Sequence, residues 1–246
     1  MKKLLMVTGS LLLLSSVFAQ TDSTEDGSAP VKNKKISISN RSNDHLLIQV
    51  GYAGWASTPD SINTSGLPRS FNMYFMLDFP FKTNPHLSVA IGPGIATDNI
   101  YFDKTSVGLK DNTETLQFNN LADTNHFKKY KLMTAWLEAP VELRYSANPA
   151  NPKRGLKLAV GAKVGTLLAA GTKGKTWQDK NDQTLISYTQ KEKNKKFFNS
   201  TRLSVISRVG WGNFTLFGSY QINPLFKEGL GPDVKPFSVG LTISGL

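Results

Sequence analysis

The 246-residue sequence contains no cysteine. Disulfides, thiolate metal sites and lipid attachment through an N-terminal cysteine are excluded. Histidines are scarce, only His45, His86 and His126. No Ser, Asp or Glu accompanies them at the spacing of a catalytic triad or a metal site. Neither catalysis nor a cofactor is expected. Acidic residues are few, 18 against 29 basic ones, for a formal charge of +11. Beyond the first twenty residues, no stretch approaches the ~18 apolar residues of a spanning helix. Mean hydropathy is −0.25, as in a water-soluble chain. That average does not exclude a membrane, because a transmembrane barrel alternates lipid-facing with polar residues.

The N-terminus supplies the first positive signal. Lys2 and Lys3 precede an apolar core at residues 4–7 and 11–14, and Val17 and Ala19 put compact residues before Gln20. Residues 1–19 are expected to be a cleaved secretory signal peptide. Residues 20–44 are rich in Ser, Thr, Asn, Asp and Lys, too polar to bury a core, and are expected to form a flexible periplasmic lead. Without Lys2 and Lys3 the charge is +9 (11 − 2). Basic chains often bind nucleic acid. An exported chain instead meets lipopolysaccharide phosphates, so outer-membrane lipid and lipopolysaccharide are the expected partners. Envelope proteins are a further class, and nucleic acid is not expected.

From residue 45 onward the pattern has the period of two that marks strands. Phe71, Met73, Phe75, Leu77 and Phe79 share one face, and Asn72, Tyr74, Met76 and Asp78 the other. Residues 45–55, 87–96, 133–145, 156–173, 203–211, 214–222 and 237–243 alternate likewise, which makes eight strands with the first. The connections run long and short in turn. Residues 56–69, 103–129, 174–198 and 223–235 are long, whereas residues 82–85, 146–154 and the Gly212-Asn213 turn are shorter. Outer-membrane barrels have short periplasmic turns and long outer loops. The expected fold is all-β, an eight-stranded antiparallel up-and-down transmembrane β-barrel over residues 45–246.

A soluble lipocalin-like barrel is the rival fold. Its bulky apolar face would point inward, and an eight-stranded interior has room only for packed side chains. Five large residues from Phe71 to Phe79 would crowd it. The opposite face suits a narrow polar lumen better. It is rich in Gly, Ala and Ser, with scattered charges at Asp78, Glu138, Glu142, Arg144, Lys157, Lys163, Arg202 and Arg208. These eight are expected to pair as a network that plugs the barrel, with Glu142 close to Lys157. Aromatic belts are expected at the bilayer edges: Trp55, Tyr101, Phe102, Tyr130 and Phe237 outside, and Phe79, Phe81, Tyr145, Trp211 and Phe214 inside.

Two strands carry a family resemblance. The run Ala135-Trp136-Leu137-Glu138-Ala139-Pro140-Val141-Glu142-Leu143-Arg144-Tyr145 resembles the "lEiPlelRy" strand of PorT-like outer-membrane β-barrel proteins of Bacteroidetes. Residues 161–168, GAKVGTLL, are similar to that family's "GxKxGxLL" strand. Residues 217–220, 225–227 and 236–241 fit its closing pattern. The resemblance spans about residues 48–246 and implies an outer-membrane barrel. Named PorT proteins take part in type IX secretion, so it also admits an accessory role there.

Two further motifs bear on ligands. Residues 171–176, GTKGKT, resemble the end of a phosphate-binding loop, but Ala169 stands where that loop needs Gly and no helix follows. The loop 173–196 holds Lys173, Lys175, Lys180, Lys191, Lys193, Lys195 and Lys196 against three acids, a net +4 (7 − 3). It is either a mobile solvated loop or a clamp for lipopolysaccharide phosphates or another anion. The functional readings are thus a non-enzymatic barrel for envelope structure or partner binding, a secretion accessory or narrow solute channel, and, least supported, an enzyme.

Overall fold

The computed structural model describes residues 45–60, 62–151 and 154–245. The expected signal peptide and lead lie outside the described residues. Among the described residues, thirteen strands run in chain order: β1 (Leu46–Ala56), β2 (Arg69–Phe75), β3 (Leu77–Pro80), β4 (Leu87–Ile91), β5 (Gly94–Phe102), β6 (Thr105–Val107), β7 (Phe118–Asn120), β8 (His126–Ser146), β9 (Leu156–Gln178), β10 (Thr184–Lys193), β11 (Thr201–Trp211), β12 (Phe214–Gln221) and β13 (Lys235–Ser244). Ten of them build eight staves of a ring: β1, β2 with β3, β4 with β5, β8, β9, β11, β12 and β13. The β8–β9 ladder closes the ring, and its neighbours are antiparallel throughout. Each stave pairs with the next in sequence, the up-and-down order that removes sheet edges.

Two staves are interrupted without losing their alternation. Met76 parts β2 from β3, and its N–H donates to His45 O at 2.6 Å. Gly92 and Pro93 part β4 from β5. Proline brings no N–H to the ladder, and a Cβ on Gly92 would lie 1.8 Å from Phe75 O.

The face chemistry follows the expected inversion. Phe71, Met73 and Phe75 are exposed, as are Leu137, Val141 and Leu143, and Val160 and Val164. Asn72, Tyr74, Glu138, Glu142, Lys163, Arg202 and Ser204 are buried. A water-soluble barrel with this pattern would leave its largest apolar residues in solvent. A bilayer is the surrounding that suits it, because a ring of paired strands satisfies its backbone from stave to stave.

Of the residues expected in the inner aromatic belt, Phe79, Phe81, Tyr145, Trp211 and Phe214 are all exposed. The outer belt is corrected. Phe102 and Tyr130 are buried, and Trp55 packs edge-on against Phe102, Phe118 and Phe226. They join Ile62, Leu109, Leu116, Phe197, Phe198, Leu225 and Val234 in one apolar cluster. The loops supply half of its buried members, so those loops fold over the barrel mouth as a cap.

The long loops are corrected in the same sense. Within residues 103–129, β6 pairs with β7. Residues 174–198 are not a loop throughout, because β9 runs to Gln178 and β10 folds back on it. The turn between them is closed by Asp179 Oδ1, which accepts the N–H groups of Asn181 (2.9 Å) and Gln183 (2.9 Å). β10 lacks regular alternation because neither face packs on a core, and nine of its ten residues are exposed. Beyond the ring, β8, β9 and β10 continue as a three-stranded outer sheet.

Candidate functional site

The lumen charges sort into two clusters. Near the middle, Glu138 Oε2 meets Lys163 Nζ at 2.9 Å and Glu138 Oε1 meets Arg202 Nη1 at 3.2 Å. Arg202 Nη1 also meets Asp98 Oδ2 at 2.8 Å. Tyr74 OH donates to Glu138 Oε2 at 2.6 Å and accepts from Lys163 Nζ at 3.2 Å. Nearer the inner end, Arg208 Nη2 donates to Glu142 Oε2 at 2.6 Å, and Arg144 Nε donates to the same oxygen at 2.8 Å. Arg144 Nη1 lies 3.7 Å from Asp78 Oδ1, which also accepts from Ser88 Oγ at 2.7 Å. Each cluster sets two carboxylates against two of their cations. Pairing matters because an uncompensated charge in a low-dielectric interior is very costly.

Seven of the eight expected lumen charges stand in these clusters. The eighth, Lys157, is not set opposite Glu142 as expected. The hairpin register sets Gly161 opposite Glu142 and Ser146 opposite Lys157. The connection between β8 and β9 is long enough to move the pairing four residues along from that expectation (146 − 142). Asp98 is the member the sequence reading missed. It lies two residues past Ala96 on the same face, so one more step of the alternation reaches it.

Beside the ion clusters the lumen also holds paired amides and hydroxyls. Asn72 Nδ2 donates to Gln49 Oε1 at 3.2 Å, and Gln49 Nε2 donates to Thr242 Oγ1 at 3.1 Å. Above the middle cluster, the Arg202 guanidinium stacks over Trp136, 5.4 Å from the ring centre. Trp136 is fully buried and also belongs to the apolar cap. A void under the cap, lined by residues such as Trp55, Asp98, Leu132 and Leu225, is about 10 Å³. That is near the least a single water needs. From the inner end outward, the interior is ion pairs, ion pairs, tryptophan and apolar cap.

The histidines do not form a site together. His45 Nδ1 bonds to Met76 O (2.9 Å), and His86 Nδ1 bonds to Ser146 O (2.8 Å). His126 Nε2 lies 2.9 Å from Asp182 Oδ1 at the tip of the outer sheet. Lys104 Nζ donates to Asp182 Oδ2 at 3.1 Å. Hydrogen bonds from Lys104 and then His126 hold the Asp182 carboxyl below its usual range. A depressed carboxyl stabilises the fold above its unfolded value, about 3.9 for aspartate, and that contribution is lost as pH falls through the lower folded value. Protection of the 179–183 amides, taken relative to the intrinsic exchange rate at each pH, should therefore be higher at neutral pH and fall as pH drops below about 4. Asp182→Asn should lower that protection at neutral pH and remove its pH dependence, and a turn equally protected in the variant would contradict this anchoring.

The seven lysines of the expected basic loop are dispersed. Lys173 and Lys175 lie on β9, Lys191 and Lys193 on β10, and Lys180 in the turn between them. Lys195 and Lys196 follow β10, and Lys196 Nζ donates to Thr113 O at 3.2 Å. Register, rather than proximity in sequence, groups the cations. Lys131 on β8, Lys173 on β9 and Lys191 on β10 stand directly opposite one another in a row, with Lys129 opposite Lys175 beside it. Lys175, with smaller contributions from Lys191 and Lys131, depresses the Lys173 ammonium's pKa. An open cleft of about 510 Å³ runs along this face and reaches Arg69 on β2.

The family described as outer membrane protein beta-barrel domain matches residues 18–228. No curated protein matches the chain at a significant level. Among solved structures, the chain is similar to Ail, the attachment invasion locus protein of Yersinia pestis, in complex with the heparin analogue sucrose octasulfate. The identity is 16%, the coverage 81% of this chain and 96% of that one, and the TM-score 0.35. A second Ail structure has 17% identity, the same 81% coverage of this chain, 95% of that one and a TM-score of 0.34.

Proposed function

Because the chain belongs to the outer membrane protein beta-barrel domain family, its place is the outer membrane, and we propose that it works there as a sealed, non-enzymatic barrel serving envelope structure and partner binding through its outer sheet. The observation that carries this reading is the pair of buried ion clusters under an apolar cap. Such an interior holds the barrel together and opposes solute flow, which speaks against a narrow channel. The outer sheet of β8, β9 and β10 offers the surface for partners, with an exposed edge strand and several unburied cations. A second reading is an accessory role in type IX secretion. It is supported by the likeness of β8 and β9 to the PorT-like proteins of Bacteroidetes, whose motif residues here line the closing seam.

The absence of native cysteine makes the orientation testable with single-cysteine variants. Ser187→Cys on β10 should react with a membrane-impermeant maleimide in intact cells. Ala150→Cys, in the turn between β8 and β9, should react only after the outer membrane is breached. Labelling of Ala150→Cys in intact cells would invert the barrel and remove the outer sheet as a partner surface. A photo-cross-linker carried at residue 187 then reports which envelope proteins touch the sheet.

A further inference from the structure

Like charges placed directly opposite in a sheet destabilise it. The outer sheet nevertheless sets Lys131 against Lys173, Lys173 against Lys191, and Lys129 against Lys175. The cleft beside them is lined by six cations, Arg69, Lys128, Lys129, Lys131, Lys173 and Lys175, and by no acidic residue. The cations come from three staves, so the fold and not a local charge run assembles them. Lys131 Nζ is held in place by Asn99 Oδ1 at 2.6 Å and by the Tyr101 ring, 5.6 Å from its centre. The arrangement calls for an anion with several negative charges.

Height identifies the source of that anion. The side chain of Lys131 follows the lipid-facing positions Met133, Leu137, Val141, Leu143 and Tyr145 of β8, all exposed. Lys131 lies fourteen residues from Tyr145 at the inner rim (145 − 131). At ~3.4 Å per residue and a tilt near 40°, that is about 36 Å along the membrane normal. A hydrocarbon layer of about 30 Å ends below it, and the headgroup zone begins there. Arg69 likewise stands just beyond the exposed Phe71, Met73 and Phe75 of β2.

We propose that Arg69, Lys129, Lys131, Lys173 and Lys175 form a binding site for the phosphate groups of outer-leaflet lipopolysaccharide. The site rests on the outward orientation of the sheet, and it gives the proposed surface its first ligand. The apolar face below it takes the acyl chains while the cations neutralise the phosphates. Repulsion between the facing lysines is relieved when the anion is present, so bound lipopolysaccharide should stabilise the outer sheet.

The test uses the purified full chain in lipid nanodiscs, with deep-rough lipopolysaccharide, the same lipopolysaccharide stripped of phosphate, inorganic pyrophosphate and soluble heparin as separate probes. Phosphorylated lipopolysaccharide should bind at least tenfold more tightly than the stripped form and raise Tm. The Lys131→Gln, Lys173→Gln, Lys175→Gln variant should lose that tenfold difference while keeping the gel mobility of the folded barrel. A Lys180→Gln, Lys193→Gln, Lys195→Gln variant, of equal charge change outside the cleft, should retain it. Equal binding of stripped lipopolysaccharide, equal loss in both variants, or tighter binding of pyrophosphate or heparin than of lipopolysaccharide would overturn the proposal. The orientation is read separately by maleimide labelling, so an inverted barrel is distinguishable from a cleft that ignores phosphate.

Discussion

Glu142→Leu should destabilise the folded barrel by roughly 3–5 kcal/mol, the usual consequence of stranding a buried charge. Glu142 is the carboxylate that Arg208 contacts, at 2.6 Å, and Arg144 shares it at 2.8 Å. Without it, Arg144 retains Asp78 at 3.7 Å, but the cluster carries an excess positive charge inside the lumen. Removing Arg208 as well takes that excess charge away again. Glu142→Leu with Arg208→Leu should therefore unfold at higher urea than Glu142→Leu alone, although it lacks more native contacts. Urea titration in lipid vesicles, followed by gel mobility of folded and unfolded forms, measures both. Additive losses in the double variant would show that the pair does not act as one electrostatic unit.

Val141→Lys tests the other face, and its expected cost is roughly 2–4 kcal/mol for a charge near the bilayer midplane. Val141 is exposed and lies opposite Ala162 across the seam. Its position four residues outward from Tyr145 (145 − 141) leaves its ammonium little chance of reaching the inner headgroups. Thr189→Lys on β10 adds the same charge beyond the membrane and should leave the urea midpoint unchanged. If Val141→Lys unfolded like the native chain in vesicles, the exposed apolar face would not be the lipid face.

The staves were legible because lipid and lumen impose opposite chemistry on alternate residues. The run from Phe71 to Phe79 carries that contrast even across the break at Met76. The interruption itself was not legible, since it arises from a hydrogen bond between Met76 N and His45 O, 31 residues apart. Seven members of the ion clusters could be named from their face, but not their partners. Partner choice depends on register, and register depends on the span between β8 and β9, so Glu142 was assigned to Lys157 rather than to Arg208. Asp98 escaped because the strand was ended one step early.

The cap was invisible for a different reason. Trp55, Phe102, Phe198 and Phe226 meet through four separate segments with no shared periodicity. Counting lysines along one segment found Lys173 and Lys175 but not Lys131, Lys129 or Arg69, which lie on other staves. Charge density along a sequence is a poor guide to charge density on a sheet, because neighbours across a ladder are remote in the chain.

Ion pairs and an apolar cap that seal the interior leave ions no path through the barrel, which a planar-bilayer recording measures. Protein whose insertion is verified by gel mobility should leave the membrane at its bare conductance across the physiological voltage range. Neutralising the inner cluster by Glu142→Leu with Arg208→Leu should not open a steady pore, because the cap and the middle cluster remain. Steady ohmic steps from the native protein would contradict the claim.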